Sequence, residues 1–204
     1  MKKYNHYLLL AASLFVISCG QSDAKKEQAQ KDALGDTVKT TDVLQVGTGD
    51  AGFAYKAAAS GMMEIQLSGL AQRNALNQQV KNYGAMMVKD HTKTSTELKN
   101  LANSKKLTLP VALEKDVQDR VDSMSLQSSA GFDLKYMEMM VQAHKKDVAE
   151  FEKATTTVKD PDLKAFAVKN LPILKMHLNE AEKLNASLNK KNDANNAKNA
   201  GAQK

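Results

Sequence analysis

The sequence has no tryptophan and only five tyrosines and five phenylalanines, so it lacks the aromatic surface on which nucleic-acid bases stack. A single cysteine excludes an internal disulfide in any compartment. Three prolines and ten glycines among 204 residues, with few β-branched clusters, leave too little turn and strand material for a β-sandwich. There is no phosphate-binding glycine loop, and no serine, cysteine or lysine stands in a recognisable nucleophile setting. The chain is too short for a large multidomain enzyme and has room for one real core. Its abundant residues, Ala, Leu, Lys, Gln, Asn and Met, favour helices and point to an all-α protein.

The net charge of +6 is unevenly spread: +2 over residues 1–19, −2 over 20–50, +3 over 51–188 and +3 over 189–204. The long central region is nearly balanced and carries no basic stripe, so no nucleic-acid partner is expected. Lys2 and Lys3 precede an apolar run from Tyr7 to Ile17, too short to span a bilayer permanently, which reads as a cleaved secretory signal. The stretch Val16-Ile17-Ser18-Cys19-Gly20 resembles a bacterial lipoprotein cleavage box. That resemblance implies a signal peptide over 1–19, lipidation of Cys19, attachment to a membrane, and a periplasmic or outer-membrane-associated place in the cell envelope. Residues 20–50 lack periodicity and are rich in linker residues, as a flexible tether would be, and the Asn/Ala/Lys-rich stretch 189–204 reads as a disordered tail.

Between these flanks, residues 51–188 show the 3.6-residue apolar period of helices. A first helix is expected at about 51–75 and a second at about 78–104 behind the capping residue Asn77. Leu107-Thr108-Leu109-Pro110 breaks the second, and a short amphipathic piece follows at about 111–127. A third long helix is expected at about 132–157, with Asp133 as its cap. Asp160-Pro161-Asp162 opens a fourth that reaches about 188 and contains Pro172, which should kink it. Four long helices joined through a short helical crossover form a four-helix bundle.

Counted at 100° per residue, His91, His144 and His177 all fall on inward faces, and Glu64 lies in the middle of the inward face of the first helix. If the helices run up, down, down and up, with the short piece as the return, Glu64, His91 and His144 fall within about 2 Å of one level and His177 within about 5 Å of it. Each long helix thus delivers one ligand-capable side chain to a common depth.

The chain from about residue 51 to 188 resembles DUF4142, a secreted ferritin-like family often labelled predicted outer membrane protein. The resemblance rests on Ala58-Ala59-Ser60-Gly61-Met62-Met63-Glu64, Met87-Val88-Lys89-Asp90-His91, Leu107-Thr108-Leu109-Pro110, and Gly131-Phe132-Asp133-Leu134-Lys135-Tyr136-Met137. His144 with Phe151, the run Asp160 to Ala167, and Leu171-Pro172 through His177-Leu178 complete it. It implies a ferritin-like four-helix bundle with a helical crossover between the second and third long helices and with Glu64, His91, His144 and His177 turned inward. It implies no activity.

Di-iron bundles carry a carboxylate three residues before each of two histidines. Here those positions hold Val88, Val141 and Leu174, which argues against a dinuclear centre. Three imidazoles and one carboxylate suit a single divalent ion such as zinc, iron, copper or nickel, and disfavour magnesium or calcium. Asp147 and Glu180, each three residues after a histidine, read as acceptors for imidazole N–H groups, as extra ligands, or equally as solvated charges on the flank of a helix. Met87, Met137 and Met140 read as core filling. Three functions follow from this reading: a metal-binding bundle, an envelope scaffold whose Glu/His cluster is an inert polar network, and a small-ligand carrier using space beside Gly61 and Gly84.

Overall fold

The computed structural model describes residues 48–127 and 129–201. The expected signal peptide with Cys19, and nearly all of the expected tether, lie outside the described residues. The chain forms five helices: α1 (Gly49–Asn74), α2 (Gln78–Lys105), α3 (Lys115–Ser125), α4 (Ser129–Thr157) and α5 (Pro161–Gly201). No strand occurs among the described residues, and none of the described helices is long and apolar enough to cross a membrane.

Local chemistry sets the helix boundaries. The Asn77 side chain accepts from the Gln79 amide at 2.8 Å and starts α2. Asp160 accepts from the amides of Asp162 and Leu163, each at 3.0 Å, and starts α5 with Pro161 in its first turn. α2 ends at Lys106, whose left-handed backbone (φ 55°) lets the Leu107 amide reach back to Ala102 O at 2.9 Å. Pro172 removes one backbone donor inside α5, but the position is exposed, as is Val168 one turn earlier, so water can take up the freed carbonyl.

Three helix boundaries differ from expectation. α3 begins at Lys115 rather than near 111. α4 begins at Ser129, so Asp133 lies within the helix rather than at its start. Its carboxylate instead accepts from the amides of Leu76 and Asn77, at 3.1 and 2.8 Å, and pins the α1–α2 turn. Asp50 does the same at the opposite end, accepting from Lys159 and Asp160 amides at 2.8 Å each. α5 does not stop near residue 188, and its helix replaces the expected disorder of 189–204 as far as Gly201. No proline or glycine intervenes before Gly201, so the backbone ladder has no reason to end, although residues 191–198 are exposed on every face.

Cross-helix bonds fix the topology. On α1 and α4, Ser68 meets Tyr136 and Leu76 meets Asp133. On α2 and α5, Thr94 meets Asn170 and Lys105 meets Asp162. Within each pair, rising numbers on one helix match falling numbers on the other, so both pairs are antiparallel. Turns of a few residues make α1–α2 and α4–α5 antiparallel as well. The order is up, down, down, up, with α3 returning the chain against α1 and α4.

The core has two apolar parts. One contains Leu67, Met87, Tyr136, Met137 and Met140, so the methionines are core residues as expected. The other contains Leu98 and the rings of Phe53, Phe151 and Phe166, with centroids 5.0–6.3 Å apart. Along every long helix one of Glu64, His91, His144 and His177 lies between the two parts, and on α4 the buried Asp147 follows His144 before Phe151.

Candidate metal centre

The four inward residues form one layer between the two apolar parts. Glu64 and His144 are fully buried, His177 is 1% exposed and His91 6%. The three imidazole rings form a triangle with centroids 5.4–5.5 Å apart. One nitrogen from each ring lies within 4.8 Å of the others. Around a tetrahedral zinc the corresponding separation is about 3.4 Å, so closing the set needs movement on the order of 1 Å.

The carboxylate of Glu64 completes the layer, with Oε2 3.1 Å from His91 Nδ1 and Oε1 3.1 Å from His144 Nδ1. These are not ion pairs. Burial pushes Glu64 well above the usual carboxylate range, and the neighbouring Asp147 charge adds to the effect. Burial drives the imidazoles the other way: His91 is lowered to about 3, helped by His144 and His177, and His144 is lowered to about 4. His177 is also lowered by burial, against the pull of Asp90. At neutral pH the rings are therefore uncharged and free to act as ligands.

Hydrogen bonds decide which ring nitrogens are available. His144 Nδ1 donates to Met140 O at 3.0 Å, leaving Nε2 without a partner. His177 Nε2 is 3.0 Å from Asp90 Oδ2, leaving Nδ1 free. His91 keeps Nε2 free, and neither oxygen of Glu64 has a hydrogen bond of acceptable geometry. Metal-binding histidines usually have one nitrogen engaged by a carbonyl or carboxylate and the other unclaimed and buried.

The two flanking carboxylates expected to hold imidazoles behave differently. Asp147 lies beside the cluster, but its Oδ2 accepts from Ser60 Oγ at 2.8 Å rather than from a ring. Burial raises its carboxyl to about 6, against the opposing hydrogen bonds of Ser60 and of the neighbouring Glu64 carboxyl. Glu180 makes no bond to any of the three rings and lines a surface groove with Gln79, Tyr83 and Met176. Its expected role falls to Asp90, which the sequence reading left unassigned. Asp90 is adjacent to His91, hence about 100° round α2, where the helix faces α5 and His177. Gly84 offers no ligand space either: a Cβ there would meet the Ser68 carbonyl at 3.0 Å, so this glycine serves the close approach of α1 and α2.

The three neutral imidazoles fit a divalent transition metal, each leaving one buried nitrogen without a partner, and Glu64 stands beside two of them, 3.1 Å from the Nδ1 atoms of His91 and His144. No curated protein and no solved structure matches the chain. A family model described as a domain of unknown function, DUF4142, matches residues 35–184, and the chain belongs to that family.

Proposed function

We propose that the protein is an envelope lipoprotein whose bundle binds one divalent transition metal through Glu64, His91, His144 and His177. The observation that carries this reading is the set of buried, unpartnered donors: both Glu64 oxygens, His91 Nε2, His144 Nε2 and His177 Nδ1. Leaving a buried polar group unsatisfied costs about 1–3 kcal/mol. Five in one layer are a liability that a bound cation would turn into ligand bonds. An inert polar network would need these atoms to satisfy one another. The His144 Nδ1 proton points to Met140 O instead, which counts against that alternative.

Zinc, iron, copper and nickel all suit these donors. The ion would supply Lewis acidity, or one-electron chemistry in the case of iron or copper. Met140 O and Asp90 orient two of the rings, and the apolar parts of the core on either side exclude bulk water. The anchor is read from residues 16–20, which would place this centre at a membrane surface on the tether of residues 20–50.

The test is metal analysis of untagged protein purified without chelator, repeated on His91→Ala, His144→Ala and His177→Ala. One ion per chain in the wild type and its loss in each variant is expected. A metal-free wild type that takes up no added ion would refute the reading. Metabolic labelling with a fatty acid, abolished by Cys19→Ala, tests the anchor separately.

A further inference from the structure

The Glu/His layer does not fill the space around it. Beside it lies a cavity of about 20 Å³, bounded among others by Gly61, His91, Ser95, Phe151 and Phe166. That volume holds about one water molecule or a diatomic molecule.

Gly61 is the residue that keeps this space. Its backbone does not need glycine, because among the described residues only Gly49 is a glycine with positive φ. Glycine inside a helix costs roughly 0.5–1 kcal/mol relative to alanine. A Cβ here would meet a side-chain hydroxyl, Ser95 Oγ, at 3.2 Å, a tight contact that a small shift of Ser95 relieves, and would stand 3.9 Å from His91 Nδ1. Gly84, by contrast, faces a backbone carbonyl at 3.0 Å. What a methyl at position 61 would remove is room next to a ligand ring.

The wall is mixed: the proposed ligands Glu64, His91 and His177 face the cavity together with Asp90, Asp147 and Ser95. Leu98, Phe151, Phe166 and Leu174 are apolar. Thr94 donates to Asn170 Oδ1 at 3.1 Å, and Asn170 Nδ2 donates to Phe166 O at 2.9 Å, so these polar groups are already engaged. The volume of about 20 Å³ excludes organic substrates and hydrated ions.

We propose that the centre keeps one coordination position open on its Gly61 side for a ligand of one or two heavy atoms, either water or a diatomic gas. This inference rests on the metal reading above. Four protein donors leave a four-coordinate ion able to accept one more, as open rather than purely structural sites do.

Cobalt(II) is a suitable probe, because its visible absorption distinguishes four from five ligands. The mature full-length chain and Gly61→Ala are loaded with cobalt, followed by absorption spectra and crystal structures. Both should bind one ion. The wild type should show a non-protein ligand of one or two atoms on the Gly61 side, and Gly61→Ala should lose it with a several-fold rise in visible absorption. Ser95→Val, which fills the same space from α2, serves if Gly61→Ala does not fold. Cobalt held by protein atoms alone in the wild type, or an extra ligand retained in the filled variants, would overturn this inference and leave the metal reading standing. No cobalt in the wild type would overturn both.

Discussion

Replacing Glu64 by glutamine separates what this carboxyl does to the empty protein from what it does for an ion. In the folded apo protein its pKa is raised by burial and by Asp147, whereas in the unfolded chain it ionises near 4.5. Between those two values the unfolded state holds one proton fewer at this group, so the Glu64 contribution to wild-type stability falls as pH rises, by about 1.4 kcal/mol per pH unit. Glutamine does not titrate. Apo Glu64→Gln should therefore gain on the apo wild type with increasing pH above about 4.5, at about 3–5 °C in Tm per unit for a domain of this size, until the folded pKa is passed. An ion reverses the order. At a free concentration of about 100 Kd it adds about 2.7 kcal/mol to the wild type, or roughly 5–11 °C. It adds almost nothing to the variant, which lacks the anionic ligand. Wild-type affinity should itself rise up to about tenfold per pH unit over the same window, because binding displaces the Glu64 proton. Thermal melts of both proteins from pH 5 to 9, with chelator and with zinc, provide the assay. A zinc-induced shift that survives in Glu64→Gln, or apo melting curves that stay parallel across pH, would refute the reasoning.

Asp90→Asn should weaken ion binding by about 10–100-fold while leaving the stoichiometry at one, because it loosens His177 without removing a ligand, and calorimetric titration reads this directly. Asp133→Ala strips two amide bonds from the α1–α2 turn and should cost about 2–3 kcal/mol in chemical denaturation. Asp50→Ala should cost less, since one of its two bonds is exposed whereas both Asp133 bonds are part-buried. Gly84→Ala should destabilise by about 1–3 kcal/mol, because the Ser68 carbonyl cannot yield without parting α1 from α2. The imidazoles act in the opposite sense to Glu64 and Asp147: their contribution to apo stability should be lost as pH falls from 6.5 towards 4. His91 and His144 have depressed folded pKa values, so the unfolded chain takes up their protons first, and a shallower acid limb is expected in His144→Gln.

Much of this was legible in the sequence because helical periodicity is local. Asn77 and Asp160 are caps by chemistry that spans three residues, and the inward faces of Glu64, His91, His144 and His177 follow from counting 100° per residue. The common depth followed from rise per residue once the up-down-down-up order was assumed. Asp133 was misread for an instructive reason. Aspartate shortly after the Ser-Ser-Ala-Gly stretch 128–131 suits a cap, but its amide partners, Leu76 and Asn77, are contributed by a turn more than fifty residues away. Glu180 and Asp147 were chosen by a spacing of three from a histidine, a rule for neighbours on one helix. The His177 ring finds its carboxylate on another helix, at Asp90.

By itself, then, the sequence determined the helices, their inward stripes and the four side chains able to meet in the core, since each depends on residues within one or two turns. The tertiary structure decided which nitrogen each ring leaves free, which carboxylate orients His177, and which of two glycines keeps space rather than admits a neighbouring helix. Those outcomes depend on how packed helices are rotated against one another. A rotation that moves a side chain by 1 Å is invisible to a pattern of apolar spacing but decides whether a hydrogen bond exists.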